Sequence, residues 1–153
     1  MPSISIDSRH LFEFREEALT NIHKEICGIL VGRFLSVQDA LPEDVSINVE
    51  KVVLIDNVAP EPLAAFTMDP NQLIKAMEAA YKDNLHVVGC IHSHPLWSSH
   101  YSGTDIARAQ RNNDEAVWII YGGRKDDYSA FYYDKKMRRF FDVAIPQLVQ
   151  VAK

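Results

Sequence analysis

Cysteine and glycine are scarce in this 153-residue chain, which has two of the former and six of the latter. Two thiols are too few for a disulfide framework at this length, and the composition excludes fibrous and low-complexity classes. A basic surplus is also missing. Sixteen Lys and Arg stand against 21 Asp and Glu, for a net charge of -5, which argues against nucleic acid or an anionic membrane as the main partner. No run approaches the ~18 apolar residues of a membrane span. Met1-Pro2-Ser3-Ile4-Ser5 lacks the basic stretch and hydrophobic segment of a secretory leader. The expected location is cytoplasmic. No internal repeat or linker interrupts the chain.

What is present is ordinary for a globular protein: 47% hydrophobic and 24% charged residues. The length predicts a single domain over residues 1–153 with one sizeable core. Cys27 and Cys90 lie in apolar runs and read as small buried hydrophobes, with a disulfide or regulatory thiol as the alternative. Lys135, Lys136, Arg138 and Arg139 form the one basic cluster, read as the exposed face of a hairpin. A homodimer is the default assembly for an acidic domain of this size.

Residues 3–6 alternate as a short strand, and Asp7 or Ser8 can cap a helix with the stripe Leu11, Phe14, Ala18 and Ile22, ending near His23 or Lys24. Residues 26–34 read as a buried strand entered directly from Glu25. A polar loop to Ser46 leads to a strand over residues 47–56, which can pair with it as a long hairpin and offers an apolar surface for self-association or substrate pairing. Ala59-Pro60-Glu61-Pro62 marks a surface connection. Asp69-Pro70-Asn71-Gln72 then starts a helix with the stripe Leu73, Ala76, Met77, Ala80 and Tyr81. A central strand over residues 87–92, a helix over 104–112 and strands over 117–121, 128–133 and 138–143 follow, with a turn at Gly122-Gly123. The pattern predicts an α/β fold with a mixed sheet and packed helices.

The segment richest in chemistry is His92-Ser93-His94-Pro95 followed, beyond Leu96 to Tyr101, by Ser102-Gly103-Thr104-Asp105. A strand puts residues i and i+2 on one face about 6.6 Å apart, so the two imidazoles point the same way. With Asp105 turning back from the first turn of a helix, they supply three ligands and leave a fourth position for water, the count of a catalytic zinc site. Ser102-x-x-Asp105 ahead of Ile106 and Ala109 is also the pattern of a helix capping box. Both readings stand at this point.

These residues resemble the signature of the JAMM, or MPN-domain, zinc metalloproteases. Glu25-Ile26-Cys27-Gly28-Ile29-Leu30-Val31-Gly32 is similar to the family's glutamate and glycine-containing strand. Asn57-Val58-Ala59-Pro60, Phe66-Thr67-Met68-Asp69-Pro70 and Val88-Gly89 extend the likeness over about residues 1–143, in the layout of compact archaeal and bacterial members. The resemblance implies a single MPN-like domain of the α+β type, with a mixed curved sheet and about three helices. It implies one Zn2+ per chain on His92, His94 and Asp105, with Glu25 as general acid/base and Ser102 donating to the tetrahedral intermediate. Zinc lowers the pKa of bound water toward about 7 and polarises a scissile carbonyl.

The activity so implied is hydrolysis of (iso)peptide bonds after the C-terminal tail of ubiquitin, ubiquitin-like or sulfur-carrier proteins. A non-catalytic MPN scaffold or partner-dependent subunit, and a hydrolase of small peptide or amino-acid adducts on a sulfur carrier, are the alternatives. Tyr101 stands where many relatives have proline, implying a looser loop before Ser102. Trp97 reads as a groove wall or a packed loop residue, His100 as exposed, and His10, His23 and His86 as without function.

Overall fold

The computed structural model describes residues 1–144; the part of the expected domain beyond Ala144 lies outside the described residues. One seven-stranded sheet runs in the order β1 (Ser3–Ile6), β3 (Ser46–Ile55), β2 (Cys27–Phe34), β4 (His86–His94), β5 (Ala116–Gly122), β6 (Asp127–Asp134) and β7 (Arg139–Asp142). β1/β3 and β4/β5 are parallel and the other pairs antiparallel, so the sheet is mixed. It also curls: beyond β7, Ala144 forms a parallel bridge with Ser3 in β1, bringing the two ends of the sheet together.

Three helices cover this sheet, α1 (Ser8–Leu19), α2 (Pro70–Lys82) and α3 (Gly103–Asn112). Strand periodicity sorts the core into two sides. Leu11, Phe14 and Ala18 of α1 pack with Leu30, Ile91, Ile119 and Tyr132 on one side. Cys27, Ile29, Trp118, Ile120 and Phe131 line the other, under Ala80 of α2 and Ala109 of α3. Every site residue discussed below sits at one end of this second side. Among the described residues, no helix is long and apolar enough to cross a membrane.

Several sequence expectations shift. Asp7 is the cap of α1, accepting from the Arg9 N–H at 2.8 Å. The helix stops at Leu19, short of His23, because the Thr20 hydroxyl and the Asn21 amide both take the Glu17 carbonyl, at 2.9 and 2.8 Å. Ile22 is therefore outside the helix and exposed. Asp69 caps α2 as expected, accepting from the Asn71 and Gln72 N–H groups. The Gln72 side chain instead clamps Asp56, donating to its carboxylate and accepting its N–H, both at 2.8 Å.

Of the α2 stripe, Ala80 is buried and Leu73 and Ala76 half-buried, whereas Met77 and Tyr81 are exposed. The helix rests on β3 and β4 along a narrower strip than its periodicity suggested. The strand expected as an apolar surface, β3, is flanked by β2 along its length and by β1 over Ser46–Val49 only; it buries Ile47, Val49 and Ile55 and leaves Leu54 exposed. β5 runs through Gly122, and the following turn takes its positive φ at Asp126 rather than at a glycine. Gly122 and Gly123 serve close packing: a Cβ on the first would meet Ser99 N at 2.3 Å, and on the second Pro95 O at 2.1 Å. That contact presses the 95–99 loop onto the sheet.

Candidate metal centre

Pairing of β4 with β5 continues to His94 opposite Gly122, so both histidines stand in intact strand rather than at a frayed end. Their Nε2 atoms are 3.1 Å apart. Asp105, in the first turn of α3, places Oδ1 3.1 Å from His92 Nε2 and Oδ2 3.2 Å from His94 Nε2. Tetrahedral ligands about 2.0–2.1 Å from one zinc ion stand about 3.3 Å apart, close to these three spacings. All three side chains are buried.

His94 Nδ1 lies 2.8 Å from the Ser98 carbonyl oxygen, which can only accept, so the neutral ring carries its proton there and leaves Nε2 as a lone pair. The His92 ring is held between Phe66, at a centroid distance of 4.5 Å, and the edge contact with Trp118 at 5.8 Å. Its Nδ1 is buried without a hydrogen-bond partner among the described residues. A lone pair and two carboxylate oxygens converging in a buried pocket favour a divalent cation, and a donor set of two imidazoles and a carboxylate suits zinc.

Glu25 is the second carboxylate at this pocket. It is 4% exposed, its Oε1 has no hydrogen-bond partner among the described residues, and one of its oxygens clusters with His92 and His94 nitrogens within 4.8 Å. Asp105 stands closer to both rings, and the environments push the two acids apart. Burial opposes ionisation of Asp105, but hydrogen bonding with His92, His94 and the Ser102 N–H outweighs it and holds this carboxyl well below the usual range. Burial pushes Glu25 up to about 8, against the pull of His94 and with a smaller push from Asp105. Burial lowers His92, whereas in His94 the bonds to Asp105 and Ser98 overcome burial and raise it. An acid held ionised beside one raised by burial fits a candidate ligand beside a candidate proton carrier.

The capping box and the candidate ligand geometry share the same aspartate. The Ser102 hydroxyl accepts the Asp105 N–H at 3.1 Å, and Asp105 Oδ2 accepts the Ser102 N–H at 2.9 Å while still facing His94. Glu25, Ala64, His94, Trp97 and Ser102 line a surface cavity of about 320 Å³. A larger hollow of about 510 Å³ between α2 and α3 touches none of the five expected site residues. Trp97 is exposed and forms one wall of the first cavity, and His100, also exposed, stacks on Tyr101.

Tyr101, expected to leave its loop looser, packs on Phe131 and Phe140 at centroid distances of 4.8 and 4.6 Å, an aromatic anchor in place of proline. Cys27 and Cys90 are free thiols on neighbouring strands, Cys27 opposite His92 and Cys90 opposite Ile29. Burial raises both thiols, Cys27 to about 12; Cys27 is the small buried side chain expected, whereas Cys90 is half-buried. His10 sits on α1, His23 in the α1–β2 connection and His86 at the opposite end of β4 from the pair.

Ser93, Phe66, Arg108 and Asn57 went unassigned from sequence. Ser93 Oγ accepts the Ile26 N–H at 2.9 Å, tying the chain beside Glu25 to the histidine strand. Arg108 donates to the Phe66 carbonyl at 2.6 Å and lies 4.3 Å over its ring, fixing the aromatic that packs on His92. The Asn57 side chain donates to the Glu25 carbonyl at 2.8 Å. Ser93, Phe66 and Asn57 lie inside the family-like stretches, whereas Arg108 lies outside them.

The family model described as prokaryotic homologs of the JAB domain matches residues 7–139. A desampylase of Pyrococcus furiosus is 33% identical over 112 residues, 73% of this chain and 69% of that protein. A probable TtuB-protein conjugate cleaving protease of Thermus thermophilus is 33% identical over 112 residues, 73% of this chain and 65% of its own. A desampylase of Haloferax volcanii is 31% identical over 109 residues, 70% of this chain and 71% of its own. Solution structures of proteins from Desulfitobacterium hafniense and Salinibacter ruber share the fold. Their TM-scores are 0.70 and 0.61 at 22% and 21% identity, covering 94% of this chain and 92% and 89% of theirs. The match runs from the cap of α1 to the first residue of β7 and follows the JAMM-like residues that converge on one pocket, so the chain belongs to the prokaryotic homologs of the JAB domain.

Proposed function

We propose that this protein is a zinc-dependent isopeptidase that hydrolyses the (iso)peptide bond after the C-terminal tail of a ubiquitin-like or sulfur-carrier protein. The observation that carries the reading is the convergence of His92, His94 and Asp105 within 3.2 Å of one another, with Glu25 on the same pocket. The conjugate-cleaving and desampylase names of the relatives support the substrate class. A scaffold role is disfavoured by a complete ligand set. His92, His94 and Asp105 would hold one zinc ion. Bound there, zinc supplies Lewis acidity that polarises the scissile carbonyl and acidifies water at the site.

Glu25 takes a proton from the attacking water and delivers it to the leaving amine as the carbonyl C–N bond breaks and the water oxygen bonds to the carbon. Burial makes its carboxylate more basic than an exposed one for the first transfer, and the proton it gains there is the one it gives up in the second. Ser102, with its acceptor side occupied by Asp105 N–H, donates its hydroxyl proton where charge grows on the carbonyl oxygen. The N-terminus of α3 favours negative charge at the same place. Trp97 and Ala64 form walls of the cavity and favour a slender, extended tail.

The test is zinc content together with cleavage of ubiquitin-like conjugates by wild type and Glu25→Gln. Wild type is expected to carry about one zinc per chain and to cleave. Glu25→Gln is expected to keep zinc and lose at least 10²-fold in kcat. Zinc at stoichiometry with no cleavage of any such conjugate would favour the scaffold, and full activity in Glu25→Gln would remove the glutamate from the chemistry.

A further inference from the structure

Glu25 lies just before β2, outside any regular element, so something other than a helix or strand ladder must fix it. Its N–H donates to the Pro62 carbonyl at 2.6 Å. Its carbonyl accepts from Asn57 Nδ2 at 2.8 Å. That same amide donates to the Ala65 carbonyl at 3.0 Å, with the Pro62 carbonyl farther off at 3.4 Å. Asn57 Oδ1 accepts the Ala59 and Thr67 N–H groups, both at 3.0 Å. Carbonyls surround only the nitrogen and N–H groups only the oxygen, so the amide has one allowed orientation and its hydrogen-bonding capacity is full.

Asn57 therefore closes the 58–66 connection into a rigid loop and ties Glu25 to it. The other end of that loop carries Phe66, packed on His92 and held by Arg108. On the opposite side, the Ser93 hydroxyl and N–H bond Ile26, joining Glu25 to the histidine strand. We propose that Asn57 is a positioning residue for the proton carrier: its amide sets the place of the Glu25 backbone, and through it the carboxylate, without touching substrate or metal. This rests on the isopeptidase reading for its kinetic consequence but not for its structural one.

The test is Asn57→Asp in the zinc-loaded protein. Aspartate keeps the acceptor for Ala59 and Thr67 N–H but removes the donors and faces carbonyls with a carboxylate. Amide hydrogen exchange should quicken at least tenfold at Glu25 and stay slow at Thr67, while zinc content is unchanged. kcat should fall ten- to a hundredfold with KM within about twofold, the pattern of a misplaced catalytic group. Unchanged exchange at Glu25, unchanged kcat, or a fall in kcat that only tracks lost zinc would each overturn the proposal. No cleavage by the zinc-loaded wild type would defeat the function reading instead, and full activity in Glu25→Gln would remove only the glutamate from the chemistry; in either case the exchange result would still decide whether Asn57 holds Glu25. Should the aspartate variant not accumulate folded, Asn57→Ser removes the amide without adding charge; Thr67 N–H then loses its acceptor as well, so exchange at Glu25, zinc content and the kcat-against-KM pattern decide.

Discussion

At Ser102 one hydroxyl serves two masters through its two ends. The lone pair is committed to the Asp105 N–H as a helix cap, and the proton is free to face the cavity. Ser102→Ala removes both and is expected to cost about 1 kcal/mol of stability, read by thermal or denaturant unfolding. It should also cost about 10²–10³ in kcat. Ser102→Asp restores a cap but offers no proton, so it should recover the stability and not the activity. Recovery of both, or of neither, would separate the cap from the chemistry differently. The proposed ligands, the proposed base and this serine could be singled out in sequence because each is a reactive residue type in a fixed order. Ser93 and Asn57 were not, because their roles exist only after folding: Ser93 meets Ile26 from 67 residues away, and Asn57 meets Glu25 from 32.

Elements were legible where the local signal had no competitor. The cap and proline at the start of α2 fixed its first turn, whereas the end of α1 was decided by Thr20 and Asn21 competing for a carbonyl. How α1 is fastened to the sheet was invisible from periodicity. Arg15 donates to both oxygens of Asp126, at 2.6 and 2.7 Å, and the Tyr121 hydroxyl bonds the same carboxylate, joining the helix to the β5–β6 turn. The Arg15 hydrogen bond lowers the Asp126 pKa against a smaller opposing effect of burial. A carboxyl lowered in the folded state favours folding above its unfolded pKa of about 3.9 and loses that contribution as pH falls through its folded value. Because the pair is partly solvated, the effect is small. Asp126→Asn is expected to lower Tm by about 1–3 °C at pH 7, with the gap from wild type closing as pH falls below the unfolded value of about 3.9. A gap independent of pH would assign the loss to packing.

For the whole molecule, the order of strands and helices could be read along the chain, but the curl that joins β1 to Ala144 and the sorting of helices onto two sides depend on long-range register. That architecture is what brings Glu25, the β4 histidines and the cap of α3 to one end of the sheet. Two arrangements of the same side chains compete there: His92 and His94 completed by Asp105, or by Glu25, whose oxygen also falls within 4.8 Å of both rings. A crystal structure with anomalous diffraction recorded on both sides of the zinc absorption edge separates them. The expected result is a single zinc peak bonded to His92 Nε2, His94 Nε2 and an Asp105 oxygen, with Glu25 outside bonding distance. A peak ligated by Glu25 in place of Asp105, or no zinc peak in protein purified with zinc present, would contradict it.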